Sequence, residues 1–203
     1  MALPRSIRDL SERFSSLPGV GPKLSNRIAL YLSISNRKLA SRLEDSLKDV
    51  TAKIRLCDNC FNVTDNESLC EICDDGQRDK SIILVVETPL ELYSIEETGE
   101  YKGVYHVLHG IISPVNGIGP DEIRIRELLS RLKSDSDIKE IIFGLNPNLE
   151  GDSTSLYITN EIKDLDLDIK TTRLAKGIPT GSSIEYMSSQ TLSDSLRRRD
   201  GVE

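Results

Sequence analysis

The four cysteines of this 203-residue chain form two Cys-x-x-Cys pairs, Cys57 with Cys60 and Cys70 with Cys73. Two such pairs can bring four thiolates onto one tetrahedral ion, and Zn²⁺ favours this ligand set. Because protein thiolates would fill every position, no place remains for a catalytic water, and the metal would be structural. An iron site would use the same ligands, and two disulfides would need an oxidising compartment. The N-terminal sequence shows no signal peptide, and we therefore expect zinc.

Three acidic residues, Glu87, Glu150 and Asp152, follow apolar segments that predict buried strands. Residues 82–86 precede Glu87, and residues 141–143 precede the other two. Ligands of open parallel sheets lie at the carboxyl ends of the strands, where three gathered carboxylates could hold Mg²⁺. The alternative is that all three are solvated acids in loops, and their positions alone do not separate the two interpretations.

The residues best suited to bind phosphate are Gly19, Gly21, Lys23 and Arg27. The segment 17–23 reads Leu-Pro-Gly-Val-Gly-Pro-Lys between two helical patterns, which favours a tight hairpin. Both glycines can take positive φ and let the backbone approach a ligand, and the following helix would offer free N–H groups to an anion. This pattern is typical of a helix-hairpin-helix that binds a nucleic-acid backbone without reading its sequence. The alternative is an ordinary helical hairpin with a glycine turn.

The charge is distributed unevenly along the chain. Residues 1–56 contain 11 Lys and Arg against 5 Asp and Glu, whereas residues 57–203 contain 15 against 28. The net charge of −7 therefore combines a basic head of +6 with an acidic body of −13. This asymmetry favours phosphates at one end and metal ions or basic protein partners at the other. It also fits chance clustering on solvated helix faces.

Hydrophobic periodicity predicts the elements that must position these residues. Apolar residues at helical spacing predict three helices before residue 55. Beyond the cysteines, strands alternate with helices, which indicates a mainly parallel sheet with helices packed on it. Asp121 is expected to cap one of these helices, and Ser153 is expected to open another. The strands are predicted at residues 82–86, 103–108, 141–143 and 167–171.

Other residues give weaker signals. His106 and His109 are expected to be structural, since residues three apart near a strand need not share a face. Arginines 197–199 fit a DNA-binding tail or, equally well, the C-terminus of a short helix, which favours cations. No apolar run approaches the roughly 20 residues of a membrane span, and we expect no membrane contact.

The acids carry a resemblance to a known family. Glu87 after an apolar strand, with the later acid-x-acid pair of Glu150 and Asp152, resembles a Toprim domain. The order of helical hairpin, four cysteines and Toprim pattern is similar to the RecR family along essentially the whole chain. Further segments that resemble the family are residues 101–110 (Tyr-Lys-Gly-Val-Tyr-His-Val-Leu-His-Gly), 112–114, 117–120, 146–147, 150–151 and 172–181.

The resemblance implies a multidomain α/β fold. Residues 1–54 would form the helix-hairpin-helix module, and residues 55–78 would form a small four-cysteine zinc finger. Residues 79–175 would form the Toprim domain, a mainly parallel sheet flanked by helices. Residues 176–203 would form a short C-terminal segment with a Walker-B-like sequence and a helix.

The resemblance also implies a non-enzymatic mediator of bacterial recombinational DNA repair, located in the cytoplasm at the nucleoid. Family members act with RecO, and with RecF where it is present, to load RecA onto single-stranded DNA coated by SSB. They form dimeric or tetrameric rings that clamp single- and double-stranded DNA. DNA contact would fall on the four hairpin residues and zinc on the four cysteines. Partner contact, or a Mg²⁺ site, would fall on Glu87, Glu150 and Asp152, which we call the Toprim acids.

Two positions depart from the family pattern. Asp152 stands where the family more often has Glu, and Ser188 stands where it usually has Asp, which puts a metal or nucleotide role of that position in doubt. The sequence has no Gly-x-x-x-x-Gly-Lys motif, so ATPase activity is not expected. The alternative function is a Toprim-type Mg²⁺-dependent nuclease or topoisomerase-like enzyme. A third is a protein-only scaffold without affinity for DNA.

Overall fold

The structure is a computed structural model that describes residues 3–199. The chain divides into two compact units, Met1–Ile54 and Arg55–Glu203. Among the described residues, no helix combines the length and the apolar character needed to cross a membrane.

The first unit is helical, as the sequence predicts. Pro22 begins the second helix. At this first position the fixed φ of proline suits the helix, and an N–H would have no partner within the helix in any case. The first two helices are held together by a buried polar contact, because the Ser11 hydroxyl lies 3.0 Å from Ser25 Oγ and 3.0 Å from Asn26 Oδ1. A π-helical turn, Tyr31–Ser35, follows the second helix. The three helices are α1 (Arg5–Ser15), α2 (Pro22–Leu30) and α3 (Arg37–Lys53).

Helix α3 has an apolar face that this unit does not cover. None of its 17 residues is buried. Leu43, Leu47 and Val50 are 40%, 64% and 56% exposed, respectively. Their spacing of three and four residues places them on one side of the helix.

The second unit begins with residues 55–78, which contain the four cysteines and which we call the cysteine segment. Strand β1 (Arg55–Leu56) pairs antiparallel with β2 (Val63–Thr64), and the short helix α4 (Glu71–Asp74) follows. The four cysteines lie at these turns and are all buried. The rest of the unit is a four-stranded sheet with the order β4-β3-β5-β6, in which every pair is parallel. Its strands are β3 (Asp79–Val86), β4 (Gly103–Val107), β5 (Glu140–Phe143) and β6 (Lys170–Arg173).

The sheet separates two hydrophobic cores because successive side chains of a strand point to opposite faces. Ile83 and Val85 of β3 belong to the core that helices α6 (Ile125–Ser134) and α7 (Leu149–Asp164) cover. Leu84 and Val86 belong to the other core. That second core is covered by α5 (Pro89–Glu96) and by Phe61 and Ile72 of the cysteine segment. The cysteine segment is therefore part of the packing of the sheet.

Four predicted boundaries were wrong. Strand β3 begins at Asp79, three residues before its predicted start at residue 82. The N-cap of α6 is Arg124 and not Asp121, which instead pairs with Arg126 at the surface. Strand β6 begins at Lys170, three residues later than predicted, because residue 166 adopts positive φ and a turn ends α7. The last helix, α8 (Ser189–Arg197), contains one of the three C-terminal arginines.

The fourth correction concerns the start of α7, which lies four residues before Ser153. Asn148 is the N-cap, and its side-chain oxygen accepts the N–H of Gly151 at 2.8 Å. A Cβ on Gly151 would lie 2.1 Å from the Asn146 carbonyl oxygen, so only glycine fits at this position. Glu150 and Asp152 therefore lie in the first turn of a helix and not in a loop.

Candidate metal centre and nucleic-acid interface

The cysteine pairs converge as their spacing predicts. The four sulfur atoms of Cys57, Cys60, Cys70 and Cys73 all lie within 4.8 Å of one another. Cys60 Sγ lies 3.5 Å from Cys70 Sγ. A disulfide bond is about 2.05 Å long, and all four cysteines are free. The arrangement is that of a tetrathiolate metal site.

Backbone N–H groups surround the sulfur atoms and fit a metal-bound state. The N–H of Asn62 donates to Cys60 Sγ at 3.4 Å, and the N–H of Cys70 donates to Cys57 Sγ at 3.3 Å. Thiolates accept such bonds more strongly than thiols because they carry charge. The donor set therefore suits a divalent ion such as Zn²⁺, which four thiolates would hold with no open position.

Contacts from the sheet hold the cysteine segment in place. The N–H of Val107, at the end of β4, donates to the carbonyl of Cys60 at 2.8 Å. The Nε2–H of His109 donates to the carbonyl of Phe61 at 2.7 Å. Arg131, on α6, reaches Asn59 within the first cysteine pair, with 3.5 Å between its Nη1 and the Asn59 oxygen. Sequence reasoning missed Arg131, because 72 residues separate it from Asn59.

The two histidines have structural roles in this arrangement. His106 is fully buried on β4, and its Nε2 lies 2.8 Å from the carbonyl oxygen of Arg124. A carbonyl can only accept, so Nε2 carries the proton and Nδ1 is the unprotonated nitrogen. Nδ1 is buried and has no hydrogen-bond partner among residues 3–199. Burial lowers the pKa of His106 to about 4.

The hairpin of the first unit places its basic residues in solvent. Lys23 and Arg27 are both exposed and lie on one face of α2. Gly19 has a φ of 77°, as expected for a tight turn, but Gly21 has a φ of −82° and is extended, so its predicted positive φ was wrong. Gly21 is the N-cap of α2, and in this described segment no side chain caps that end. The first N–H groups of α2 are therefore available to an anion.

The Toprim acids lie along one edge of the sheet but do not form a common cluster. Glu87 Oε2 accepts from the Asn146 side chain at 3.2 Å, and Glu150 Oε1 accepts from the Ser113 hydroxyl at 3.3 Å. Within residues 3–199, the four cysteines are the one group of three or more candidate ligands whose atoms come within 4.8 Å of each other.

Asp152 is paired with two cations. Its Oδ1 accepts from Arg173 Nη1 at 3.0 Å, and Lys176 Nζ lies 2.9 Å from Oδ2 and 3.0 Å from Oδ1. The pairs line a cavity of about 870 Å³ at the carboxyl ends of β5 and β6, which Gln190 and Thr191 of α8 also line. Sequence reasoning found the acid but neither of its partners.

Comparisons with known proteins agree with this architecture. Residues 81–175 match the family model described as Toprim domain, and residues 7–51 match the model described as RecR, helix-hairpin-helix. The chain is 44% identical over 200 residues to "Recombination protein RecR" of Chlorobium luteolum, covering 97% of both chains. It is 44% identical over 196 residues to the protein of that name from Herpetosiphon aurantiacus, covering 97% of this chain and 94% of the relative.

The helical hairpin, the four-cysteine cluster and the parallel sheet define a Toprim protein with an attached helix-hairpin-helix module. With relatives this similar over nearly their whole length, the chain belongs to the RecR family.

Proposed function

We propose that this protein is a non-enzymatic DNA-binding mediator of recombinational DNA repair. The observation that carries the proposal is its 44% identity, over 97% of both chains, to a relative named "Recombination protein RecR". In this proposal it acts at the bacterial nucleoid with RecO, and with RecF where present, to load RecA onto single-stranded DNA coated by SSB.

The DNA contact in this proposal is the hairpin of the first unit. Gly19 and Gly21 let the backbone approach phosphates, and Lys23 and Arg27 supply exposed positive charge beside the uncapped start of α2. Contacts of this kind bind backbone phosphates and not base edges, so affinity should not depend on sequence. Both single- and double-stranded DNA are expected substrates.

The cysteine cluster holds Zn²⁺ in a structural role in this proposal. The four buried sulfur atoms and their N–H donors support it. When bound, the ion would supply folding free energy to a segment whose two strands have only two residues each. The protein's own side chains then position this segment on the sheet.

The Toprim acids are proposed as contacts for a basic protein partner. Glu87 and Glu150 accept single hydrogen bonds from neutral side chains, and neither forms a salt bridge with a described residue. Asp152 is already paired with Arg173 and Lys176, so its proposed role at this surface is weaker. A Mg²⁺ site would require Asp152 to leave these cations and the three carboxylates to move together.

We propose that the chain assembles into dimers or tetramers. The exposed apolar face of α3, with Leu43, Leu47 and Val50, is continuous along the helix and suits a second copy of the same face. A single head makes few phosphate contacts, and several linked heads would bind DNA more tightly. Leu47→Glu should lower the mass measured by light scattering, and an unchanged mass would exclude this face.

The deciding experiment measures binding to fluorescent single- and double-stranded DNA across a salt series with Mg²⁺ present. The double variant Lys23→Ala/Arg27→Ala should lose affinity for both DNAs and reduce the salt slope by roughly 1.4–1.8, since each phosphate contact adds about 0.7–0.9. The matched control is Lys38→Ala/Arg42→Ala, an exposed pair at the same spacing on α3.

An equal loss in both double variants would show binding by net charge alone and overturn the hairpin assignment. No binding by the wild type at any salt concentration would favour a scaffold. The DNA is sized after the titration. Cleaved or relaxed DNA, with the effect abolished in Glu87→Ala, would establish the alternative of a Mg²⁺-dependent nuclease or topoisomerase-like enzyme.

A further inference from the structure

Arg131 extends from helix α6 of the Toprim sheet to the cysteine cluster. Its Nη1 donates to the carbonyl of Tyr105 on β4 at 2.8 Å and lies 3.5 Å from the carbonyl oxygen of Asn59. Asn59 stands between Cys57 and Cys60, and its side-chain amide lies 3.7 Å from Cys73 Sγ. Asn59 therefore contacts both the guanidinium group and one of the four sulfur atoms.

A bound divalent ion leaves this cluster negatively charged. Four thiolates and one divalent cation sum to a net charge of −2 in a buried site, and buried charge is unfavourable unless it is compensated. The cysteine pairs cannot supply the compensation themselves, because their own charged side chains are acidic. These side chains are Asp58 in the first pair, Glu71 in the second pair and Asp74 directly after it.

Arg131 carries a positive charge beside this cluster, at the Asn59 carbonyl. Burial lowers its pKa, whereas the charges of Cys73 and Cys60 act in the opposite direction and favour its charged form. An arginine remains charged in proteins even when it is partly buried. Its position is fixed by the sheet and not by the cysteine segment, since the short hydrogen bond goes to Tyr105.

We propose that Arg131 is a positioning residue of the metal centre, the counter-cation that the Toprim sheet provides to the tetrathiolate site. It stabilises the deprotonated cysteines and thereby retains the metal. The site is complete only while the cysteine segment is docked against β4 and α6. This inference rests on the proposed metal function of the four cysteines.

The test compares three variants of the full-length, zinc-loaded protein. Arg131→Gln removes the charge but keeps an N–H donor for the Tyr105 carbonyl, and Arg131→Lys keeps the charge. Lys133→Gln removes the same charge from an exposed position on the same helix. Zinc release to a coloured chelator is followed as a function of pH, and affinity is measured by competition at neutral pH.

Arg131→Gln should lower zinc affinity by roughly tenfold, within the range found for groups that surround metal ligands. Its release midpoint should move to higher pH, because protons compete better for uncompensated thiolates. Arg131→Lys should restore most of the midpoint, and Lys133→Gln should behave as the wild type. Substitution with Co²⁺ should give the same tetrathiolate absorption in all variants, which shows that the four ligands remain in place.

Three results would overturn the proposal. Arg131→Gln could release zinc at the wild-type pH, Lys133→Gln could show the same shift, or Arg131→Lys could be as weak as Arg131→Gln while folded by circular dichroism. If Arg131→Gln does not fold, Arg131→Lys is compared with the wild type in low and high salt instead. Equal zinc affinities that fall together as the salt concentration rises support the charge role, and zinc affinities that do not change with salt overturn it. A wild-type chain that takes up no metal would instead overturn the metal function of the cysteines.

Discussion

Asp152 and Lys176 form an ion pair at the carboxyl end of the sheet, with Lys176 Nζ 2.9 Å from Asp152 Oδ2. The side chain of Lys176 is only 21% exposed, and Arg173 contacts the same carboxylate. One of the three Toprim acids therefore joins α7 to the segment that leads from β6 to α8. Asp152 therefore has a structural role, and a metal ion at this carboxylate would have to displace Arg173 and Lys176.

Asp152→Asn should loosen the segment that follows β6. The amide cannot neutralise two cations, so Lys176 loses its partner in a partly buried position. Hydrogen exchange in residues 174–199 should become faster, while the free energy of global unfolding should fall by only about 1 kcal/mol, because the pair is half exposed. Hydrogen-exchange mass spectrometry provides the measurement.

The matched control for this prediction is Glu150→Gln, which removes a neighbouring charge that is bonded to Ser113 and not to either cation. It should leave exchange in residues 174–199 unchanged. If Asp152→Asn also leaves exchange unchanged, Asp152 does not hold this segment.

His106 should make stability depend on pH. Burial lowers the pKa of His106 in the folded state to about 4, below the usual 6.5. A proton added to the buried Nδ1 would have no described acceptor. The neutral ring makes its full contribution to the free energy of unfolding above pH 6.5, and this contribution is lost as the pH falls toward 4. The shift corresponds to about 3 kcal/mol, at 1.36 kcal/mol for each pKa unit.

The experiment measures urea unfolding between pH 7.5 and 4 for the wild type and for His106→Gln. The amide of glutamine can still donate to the Arg124 carbonyl but does not titrate. The variant should be less stable at pH 7.5 and should lose less stability on acidification. Because both proteins contain the same cysteines, the difference between the two curves reports on His106. Parallel curves would contradict the assigned cause.

Local patterns in the sequence predicted the parts of this structure that depend on short spacing. The two cysteine pairs, the glycine turn before α2 and the apolar strands all follow from residues within one element. The start of α7 was missed because Gly151 argues against a helix, whereas the fold requires glycine there to avoid the Asn146 carbonyl. Its cap, Asn148, lies directly after a proline.

The long-range contacts of Arg131 and Asp152 could not be predicted from the sequence for a different reason. Arg131 lies 72 residues from Asn59, and Asp152 lies 24 residues from Lys176, so their contacts exist only after the strands have paired. The sequence contains many charged residues on solvated surfaces, and their pairing cannot be read from type and spacing alone. The charge partners of Arg131 and Asp152 can therefore be identified only from the folded structure.

Arg78 and Glu96 form the most enclosed ion pair described between residues 3 and 199, with side chains 17% and 22% exposed. The pair is bidentate, and the Tyr105 hydroxyl also donates to Glu96 at 2.6 Å. The hydrogen bond with Arg78 is the main cause of the lowered pKa of Glu96. Its contribution is therefore present above the usual carboxyl pKa near 4.5 and is lost as the pH falls below that value.

Glu96→Gln should lower the free energy of unfolding at neutral pH by about 1–3 kcal/mol, since the largely enclosed guanidinium of Arg78 then keeps only its longer contact with Asp75, at 3.6 Å, as a counter-charge. The control is Asp121→Asn, which breaks the pair with Arg126 at side chains 73% and 79% exposed and should change stability by less than about 0.5 kcal/mol. Urea unfolding at pH 7 tests both variants. As the pH falls below 4.5 and Glu96 becomes protonated in the wild type, the difference between wild type and Glu96→Gln should shrink. A difference that stays constant with pH would mean that packing, and not the charge of Glu96, holds Arg78 against helix α5.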